Sequence, residues 1–254
     1  MTLIINRKYS FIFIFFITLI AFTACKATNK IKVKTNKNIE INNSASENNF
    51  IDSMILPYKK ELDAQMNQVL NTADMDLLKG RPESNLGNLV TDLSLEISKN
   101  YYHPADAKEI DFCLLNDGGL RTSIAQGPIT LGKVFEVMPF ENELVVVTLN
   151  YDSTMALFEH ISKRGEPISN AKLIVKSTGE LIITFNGLEL ERGKSYKVLT
   201  TDYLARGGDK MTFFSNAENH EIVGIKLRDA IIEYFVSEAE SGNSISSKIE
   251  GRLS

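Results

Sequence analysis

The chain has 254 residues, of which 43% are hydrophobic and 24% charged, a composition typical of globular proteins. Its formal net charge of −4 argues against a nucleic-acid-binding surface, which is normally basic, but leaves room for a local positive pocket. Once an unusual N-terminal segment is set aside, roughly 200 residues remain, enough for one well-buried core or two small ones.

That N-terminal segment has the pattern of an export signal. Arg7 and Lys8 precede an almost wholly apolar run at 11–22, and two small residues then lead to Cys25. The run is shorter than the ~20 residues that a membrane-spanning helix needs. A cysteine directly after small residues is where bacterial lipoprotein signals are cleaved and lipidated. We therefore expect a signal peptide over 1–24 and a lipidated Cys25; a plain secretory signal with an incidental cysteine is the alternative.

Residues 25–49 are rich in Lys, Asn, Thr and Ser and have few apolar positions. Such a segment buries too little surface to offset the entropy lost on ordering, so it is predicted to be a flexible tether. The folded domain is then expected over 50–254, in the bacterial cell envelope, on the periplasmic or outer-membrane face. The lipid anchor would be its only membrane attachment.

The second cysteine, Cys113, has no disulfide partner once Cys25 carries lipid. It lies within the apolar run Ile110–Leu115, which favours a small buried hydrophobic residue over a reactive nucleophile.

Apolar residues recurring at three- and four-residue steps predict helices. The first helix carries Ile55, Tyr58, Leu62, Met66 and Val69 on one face. The second carries Leu86, Leu89, Val90, Leu93 and Ile97. Further helices are predicted at Ser153–Ser162 and over the closing residues Ile225, Ala230, Ile231, Tyr234 and Phe235.

Strands are predicted where short apolar or β-branched runs end in turn residues. Ile110–Leu115 leads into a turn at Gly118-Gly119, and Glu143–Leu149 is rich in valine. Three later runs are predicted to form a meander: Lys172–Lys176, Leu181–Phe185 and Tyr196–Thr200. Helices and strands interleave without a strict βαβ rhythm, which predicts an α+β fold, a single domain with a mixed β-sheet core flanked by helices.

Two apparent motifs fail on chemical grounds. Gly127 to Lys133 has the spacing of a phosphate-binding P-loop, but Val134 stands where a magnesium-binding hydroxyl is needed. Asn219-His220-Glu221 resembles part of a metallophosphatase ligand motif, yet Glu218 precedes it instead of glycine. A two-metal centre needs several convergent His and Asp ligands, and the chain has three histidines, none paired at ligand spacing. We expect no metal site in this chain.

Three segments carry residues of binding type, two of them beside flexible glycines. They are the first segment, Asn116–Arg121, the second segment, Met138–Asn142, and the third segment, Asp202–Asp209. Glycines let backbone N–H groups approach a ligand, an arginine fork suits phosphate, and aromatic rings on two loops can sandwich a base.

Each of these residues also has an ordinary structural interpretation when taken alone. Phe140 and Tyr203 fit a core, Asp209 fits a turn, and Arg121 fits an ion pair with a structural carboxylate.

In this order, the three segments resemble the C-terminal, substrate-binding domain of the 5′-nucleotidase family. Gly87–Asp92 resembles the family's opening helix and Glu250–Leu253 its closing strand, so the resemblance covers roughly residues 50–254. It implies a substrate-binding set of Asn116, Gly118, Gly119, Arg121, Phe140, Asn142, Tyr203, Gly207, Gly208 and Asp209.

The resemblance also implies a role for each side chain. Phe140 and Tyr203 would stack on the two faces of the base, Asn116 and Asn142 would contact the nucleoside, Asp209 would bind ribose hydroxyls, and Arg121 would clamp phosphate. Arg81 is the nearest match to a further phosphate-binding arginine, although it lies one residue closer to Gly87 than the family spacing. Asp117 replaces a glycine common in the turn and brings negative charge near the phosphate.

Full-length members of this family carry an N-terminal metallophosphoesterase domain, for which there is no room before residue 50. The expected function is therefore recognition of a nucleoside 5′-monophosphate or related nucleotide for a separately encoded metallophosphoesterase partner. No cofactor is expected in this chain, and divalent metals only in the partner. The alternatives are a non-catalytic, lipid-anchored nucleotide or nucleoside binder and a structural lipoprotein with an unused site. A domain serving sugar-nucleotide or cyclic-nucleotide hydrolysis would show similar motifs.

Overall fold

A computed structural model of the protein describes residue 38 and residues 49–254. The predicted signal peptide, the lipidated Cys25 and nearly all of the predicted tether lie outside these residues and stay predictions. Residues 50–254 form one compact unit. Within the described part of the chain, no helix is long and apolar enough to cross a membrane.

The described residues contain six α-helices and ten strands, besides short 3₁₀ turns and loops. The helices are α1 (Asn49–Met66), α2 (Asn85–Tyr101), α3 (Leu131–Val137), α4 (Tyr151–Arg164), α5 (Asp202–Ala205) and α6 (Leu227–Glu240). The strands are β1 (Val69–Ala73), β2 (Phe112–Leu114), β3 (Gly127–Thr130), β4 (Glu143–Asn150), β5 (Ile168–Ser169), β6 (Ala171–Val175), β7 (Leu181–Phe185), β8 (Leu188–Glu189), β9 (Ser195–Thr201) and β10 (Asn219–Lys226).

The central sheet has five strands in the order β10-β4-β9-β2-β5. Its β2–β9 pair is parallel and its other pairs are antiparallel, so the sheet is mixed. Two smaller sheets, β1-β3 and β6-β7-β8, lie beside it. The predicted α+β fold with a mixed sheet and flanking helices is confirmed.

Alternating residues of β4 face two separate hydrophobic cores. Leu144 and Val146 pack into the core formed with α2 and α6, whereas Val145 and Val147 pack into the core formed with α4. A strand buried on both faces needs continuous apolar residues, which explains its valine-rich sequence. On β2, Cys113 is fully buried, and burial raises the pKa of its thiol, as expected for a core residue.

The predicted helix at residues 86–97 is confirmed as α2, and its five stripe residues are all buried. The side chain of Ser84 caps its first turn by accepting a hydrogen bond of 3.0 Å from Gly87 N. A Cβ at Gly87 would lie 2.8 Å from Ser84 Oγ and 2.9 Å from Pro167 Cβ, so this turn has no space for a larger residue.

The first predicted helix exists as α1, but its apolar face does not pack into either core. None of its residues is buried, and Val69, assigned to it by periodicity, belongs to β1 instead. The periodic pattern identified the local conformation correctly and did not identify what the face contacts.

The predicted meander is wrong in its third strand. The first two strands are β6 and β7, but the third position is taken by the short β8. The predicted third strand, β9, crosses into the central sheet and pairs with β4 and β2. The last helix also starts two residues late, because Ile225 belongs to β10.

The predicted closing strand is reduced to a single parallel bridge between Leu253 and Leu173 of β6. Three backbone hydrogen bonds join this C-terminal segment to β6, from Leu173 N to Arg252 O, from Val175 N to Ser254 O and from Ser254 N to Leu173 O, and carboxylates hold it as well. Glu83 accepts the backbone N–H groups of Glu250 and Arg252, at 2.8 and 2.9 Å, and Arg252 Nη2 lies 2.6 Å from Asp92 Oδ2.

Candidate functional site

The first segment leaves the buried end of β2 as a tight 3₁₀ turn at Asp117–Gly119. The turn folds the side chain of Asn116 over Gly119, where a Cβ would lie 2.7 Å from Asn116 Oδ1. Glycine at position 119 therefore lets the Asn116 amide lie against the backbone.

The third segment leaves the end of β9 through α5. Gly207 has a φ of +89°, and a Cβ at Gly208 would lie 2.5 Å from the Tyr203 ring. The ring thus rests directly on the backbone of Gly208, which only glycine permits. Asp209 also has a positive φ, +51°, so the turn directs its carboxylate back toward the preceding residues.

The Asp209 carboxylate joins the first and third segments. Its Oδ2 accepts a hydrogen bond of 2.5 Å from Asn116 Nδ2, and its Oδ1 accepts one of 3.0 Å from the Tyr203 hydroxyl. The Asp209 N–H in turn donates to the Tyr203 oxygen at 3.3 Å. These bonds bring together residues that are 93 positions apart in the chain.

Arg121 connects the first segment to the second. Its guanidinium carbon lies 6.0 Å from the centre of the Phe140 ring, and its Nη1 donates to Gly118 O at 3.2 Å. Phe140 is 40% exposed and Tyr203 45% exposed, so the interpretation of either ring as a core residue is wrong. Among the described residues, neither ring packs against another aromatic ring.

The second segment is held in place by a buried arginine that the sequence did not indicate. Arg228 donates to the carbonyl of Pro139 at 3.3 Å, forms an ion pair with Glu141, and lies 4.2 Å from the centre of the Phe135 ring. Lys226 also pairs with Glu141. Together these contacts fix the backbone on both sides of Phe140.

The remaining predicted residue of this segment, Asn142, is half-buried. Its carbonyl accepts a hydrogen bond of 2.9 Å from Leu227 N, at the start of α6.

The ion pairs of Glu141 with Lys226 and Arg228 predict that the stability of the protein depends on pH. Hydrogen bonds from Lys226 and Arg228 lower the pKa of Glu141 from 4.5 to about 2. A lowered pKa in the folded state stabilises the protein above pH 4.5, and this contribution is lost as the pH falls from 4.5 through 2. We expect Glu141→Gln to lower the Tm slightly at neutral pH, since solvent screens this exposed carboxylate. The Tm difference should vanish by pH 2, and a constant difference across thermal melts from pH 7 to 2 would contradict the pairing.

Beside the first segment lies a charged cluster, defined here as Lys79, Arg81, Asp117, Arg164 and Glu166. The buried Glu166 accepts a hydrogen bond of 2.8 Å from Asp117 N and lies 3.2 Å from Arg81 Nη2 and 3.6 Å from Arg164 Nε. Asp117 Oδ2 lies 3.5 Å from Arg81 Nε. Arg81 is therefore adjacent to the predicted site, but its guanidinium is engaged by two carboxylates, and its role in phosphate binding stays a prediction.

Within residues 49–254 no three His, Cys, Asp or Glu side chains converge in a way that could hold a metal ion. His160 packs edge-on against Phe213, and burial lowers its pKa. His220 lies on β10, exposed.

A cavity of about 1090 Å³ lies elsewhere, against the last turns of α2 and the residues that lead into β2. Leu95, Tyr102 and Ile110 are among its lining residues, and no residue of the three segments is. The segments meet at the opposite, carboxyl end of β2.

Comparison with known proteins places this arrangement in a family. The family model described as "5′-nucleotidase, C-terminal domain" matches residues 64–216. The chain is 26% identical over 225 residues to the trifunctional nucleotide phosphoesterase protein YfkN of Bacillus subtilis, covering 77% of this chain and 14% of that protein. It is 24% identical over 237 residues to the cell wall protein Lmo0130 of Listeria monocytogenes, covering 82% of this chain and 30% of that protein.

Among solved structures, the 5′-nucleotidase precursor from Thermus thermophilus superposes with a TM-score of 0.65 at 29% identity. The superposition covers 82% of this chain and 43% of that one, so the chain spans less than half the length of each relative described here. The family model covers more than half of the chain and includes all three segments. This chain belongs to the 5′-nucleotidase C-terminal domain family.

Proposed function

We propose that this chain binds a nucleoside 5′-monophosphate at the edge where its three segments meet. The base lies between Phe140 and Tyr203, the ribose hydroxyls bind Asp209, and the phosphate binds Arg121. One observation carries the proposal. The Arg121 guanidinium lies beside the exposed Phe140 ring, and Arg121 belongs to the same segment as Asn116, whose side chain is hydrogen-bonded to Asp209. Cation, aromatic faces and hydrogen-bonding groups thus share one small surface.

The glycines and asparagines of the site have supporting roles in this proposal. Gly119 and Gly208 allow the close approaches of Asn116 and Tyr203 described above, while Gly118 and Gly207 complete the two turns. Asn116 and Asn142 contact the nucleoside. The carboxylate of Asp209 is oriented by two hydrogen bonds, because Asn116 of the first segment holds one oxygen and Tyr203 of its own segment holds the other.

The proposal confines this chain to nucleotide recognition and assigns hydrolysis to a separate metallophosphoesterase chain on the same membrane face. It is supported by family membership and by the names of its relatives, one a nucleotide phosphoesterase and one a cell wall protein. The export pattern at residues 1–24 and the cysteine at position 25 support placement in the cell envelope through a lipid anchor.

Arg121→Ala tests the phosphate assignment. Hydrogen bonds to a charged group contribute about 1.5–3 kcal/mol, so AMP affinity should fall about 10- to 150-fold. Adenosine affinity should not change, because adenosine has no phosphate for the guanidinium to bind. Isothermal titration calorimetry of both ligands measures the two effects.

Arg192→Ala is the matched control for that titration. Arg192 lies over the Tyr151 ring at 4.9 Å and precedes β9, at the strand end away from the third segment. The Arg192→Ala variant should bind AMP and adenosine with unchanged affinities. Equal losses for AMP and adenosine in Arg121→Ala, or no AMP binding by the unmodified chain, would overturn the proposed site.

The partner assignment has its own test. A purified metallophosphoesterase from the same cell envelope, supplied with a divalent metal, should release more phosphate from AMP when this chain is added. Addition of the Arg121→Ala variant should increase phosphate release less than addition of the unmodified chain. Unchanged release on addition of the chain would reject the split enzyme and favour the non-catalytic nucleotide binder.

A further inference from the structure

Asp117 is placed to control how much negative charge the site accepts. Its side chain is only 13% exposed, and its Oδ2 lies 3.5 Å from Arg81 Nε and 3.8 Å from Lys79 Nζ. Its other oxygen, Oδ1, is buried and has no hydrogen-bond partner within the described residues. The carboxylate is thus retained without full hydrogen bonding, an arrangement that usually costs stability and calls for an explanation.

The two neighbouring cations, Lys79 and Arg81, are held in position by hydrogen bonds and paired with carboxylates. Lys79 Nζ donates to Leu120 O at 2.7 Å and to Asp117 O at 3.4 Å, so it is tied to the backbone of the same turn. Arg81 is shared between Asp117 and Glu166. Both cations border the first segment, and both point at carboxylates of the chain.

The charge balance of the cluster follows from these contacts. Three cations, Lys79, Arg81 and Arg164, face two carboxylates, Asp117 and Glu166. Removing the charge of Asp117 would leave Glu166 alone against all three. Arg121, which is exposed and has no carboxylate contact among the described residues, is then the cation most available to a ligand.

We propose that Asp117 is a specificity-determining residue that restricts the site to ligands with a single phosphate. It does so by occupying Lys79 and Arg81 and by repelling further phosphates at the turn. Nucleoside diphosphates and triphosphates are disfavoured because each cation of the charged cluster already has a carboxylate partner. This inference rests on the proposed nucleotide-binding function.

Calorimetric titration with AMP, ADP, ATP and adenosine tests the inference. The unmodified chain should bind AMP more tightly than ADP, and ADP more tightly than ATP. In Asp117→Asn, which removes the charge and keeps the side-chain size, ADP and ATP affinities should rise on the order of tenfold. Adenosine affinity should stay the same, which shows that the variant keeps a folded pocket.

Two further variants make the outcome decisive. Asp117→Gly should reproduce the gain for ADP and ATP, and it remains informative should the asparagine amide fit poorly. Asp152→Asn is the matched control, because it removes one negative charge far from the site. Asp152 lies in the first turn of α4, beyond the far end of β4, and the variant should leave the ratios of AMP, ADP and ATP affinities unchanged.

The possible failures are distinguishable. An unmodified chain that binds none of the four ligands overturns the proposed function itself. A chain that binds AMP, but whose AMP-to-ATP affinity ratio is the same in both Asp117 variants, overturns only the role of Asp117.

Discussion

Replacing both Phe140 and Tyr203 with alanine is expected to abolish measurable AMP binding while leaving the fold intact. Stacking of a base on an aromatic ring contributes about 1–3 kcal/mol, so the loss of both rings should weaken binding about 30-fold to 20,000-fold. Adenosine binding should fall by a similar factor, because in the proposed site the rings contact the base and not the phosphate. This separates the rings from Arg121, whose removal affects AMP alone.

The fold should survive because neither ring contributes to the two cores. Both are about two-fifths exposed, and the backbone around Phe140 is held by Arg228 through main-chain contacts. Thermal unfolding should show little change in Tm for the double variant.

Two control variants sharpen this experiment. Tyr101→Ala removes a ring that is 38% exposed at the far end of α2, and it should leave nucleotide binding unchanged. Tyr203→Phe keeps the ring and removes only the hydroxyl bonded to Asp209, so affinity should change by less than about tenfold. Undiminished AMP binding in the double alanine variant would show that the base does not lie between these rings.

Phe112→Ala is expected to have the largest effect on stability. Phe112 lies fully buried on β2 of the central sheet, with its ring centre 5.4 Å from that of Phe158 and 5.0 Å from that of Phe185. Truncation of a buried phenylalanine to alanine costs about 3–5 kcal/mol, because transfer energy is lost and a cavity remains. The aromatic contacts among the three rings add to this loss.

Urea unfolding followed by circular dichroism measures this free energy. Phe140→Ala is the natural comparison, since it makes the same substitution at an exposed ring and should cost less than about 1 kcal/mol of stability. The two variants should therefore give opposite results: Phe112→Ala loses stability, and Phe140→Ala loses nucleotide affinity. A stability loss in Phe112→Ala no greater than that in Phe140→Ala would contradict the described packing of β2.

Much of the fold could be predicted where local pattern and burial agree. The stripe on α2 coincides with a helix face that packs on the sheet, and the valines of β4 serve two cores at once. In α1 the same kind of pattern gave the right helix with no buried face. Periodicity reports local geometry, whereas burial depends on what the rest of the chain brings to that face.

The predictions of strand pairing were wrong where strands that are close in sequence do not pair in the structure. β9 follows β8 closely, yet it pairs with β4 and β2 in another sheet. β10 was missed because most of its residues are exposed or half-buried, and its apolar positions are too sparse to stand out from a loop. Strand order depends on pairing between residues far apart in the chain, and a local sequence pattern does not predict such pairing.

For the candidate site, the sequence indicated the residues proposed to contact a ligand better than the residues that hold them in place. Phe140, Tyr203 and Arg121 stand beside glycines or on loops, so their chemistry is visible in the sequence. Arg228 lies on α6 and Glu166 between α4 and β5, and their partners are 87 and 49 positions away. Only the folded chain reveals such contacts.

The side-chain bond between Asn116 and Asp209 has a consequence for kinetics. It joins the two segments within the fold itself, so their ordering entropy is lost during folding and not during ligand capture. We therefore expect nucleotide association to follow a single exponential whose rate rises linearly with ligand concentration. Asn116→Ala should introduce a slower, concentration-independent phase as the loosened loops settle around the base.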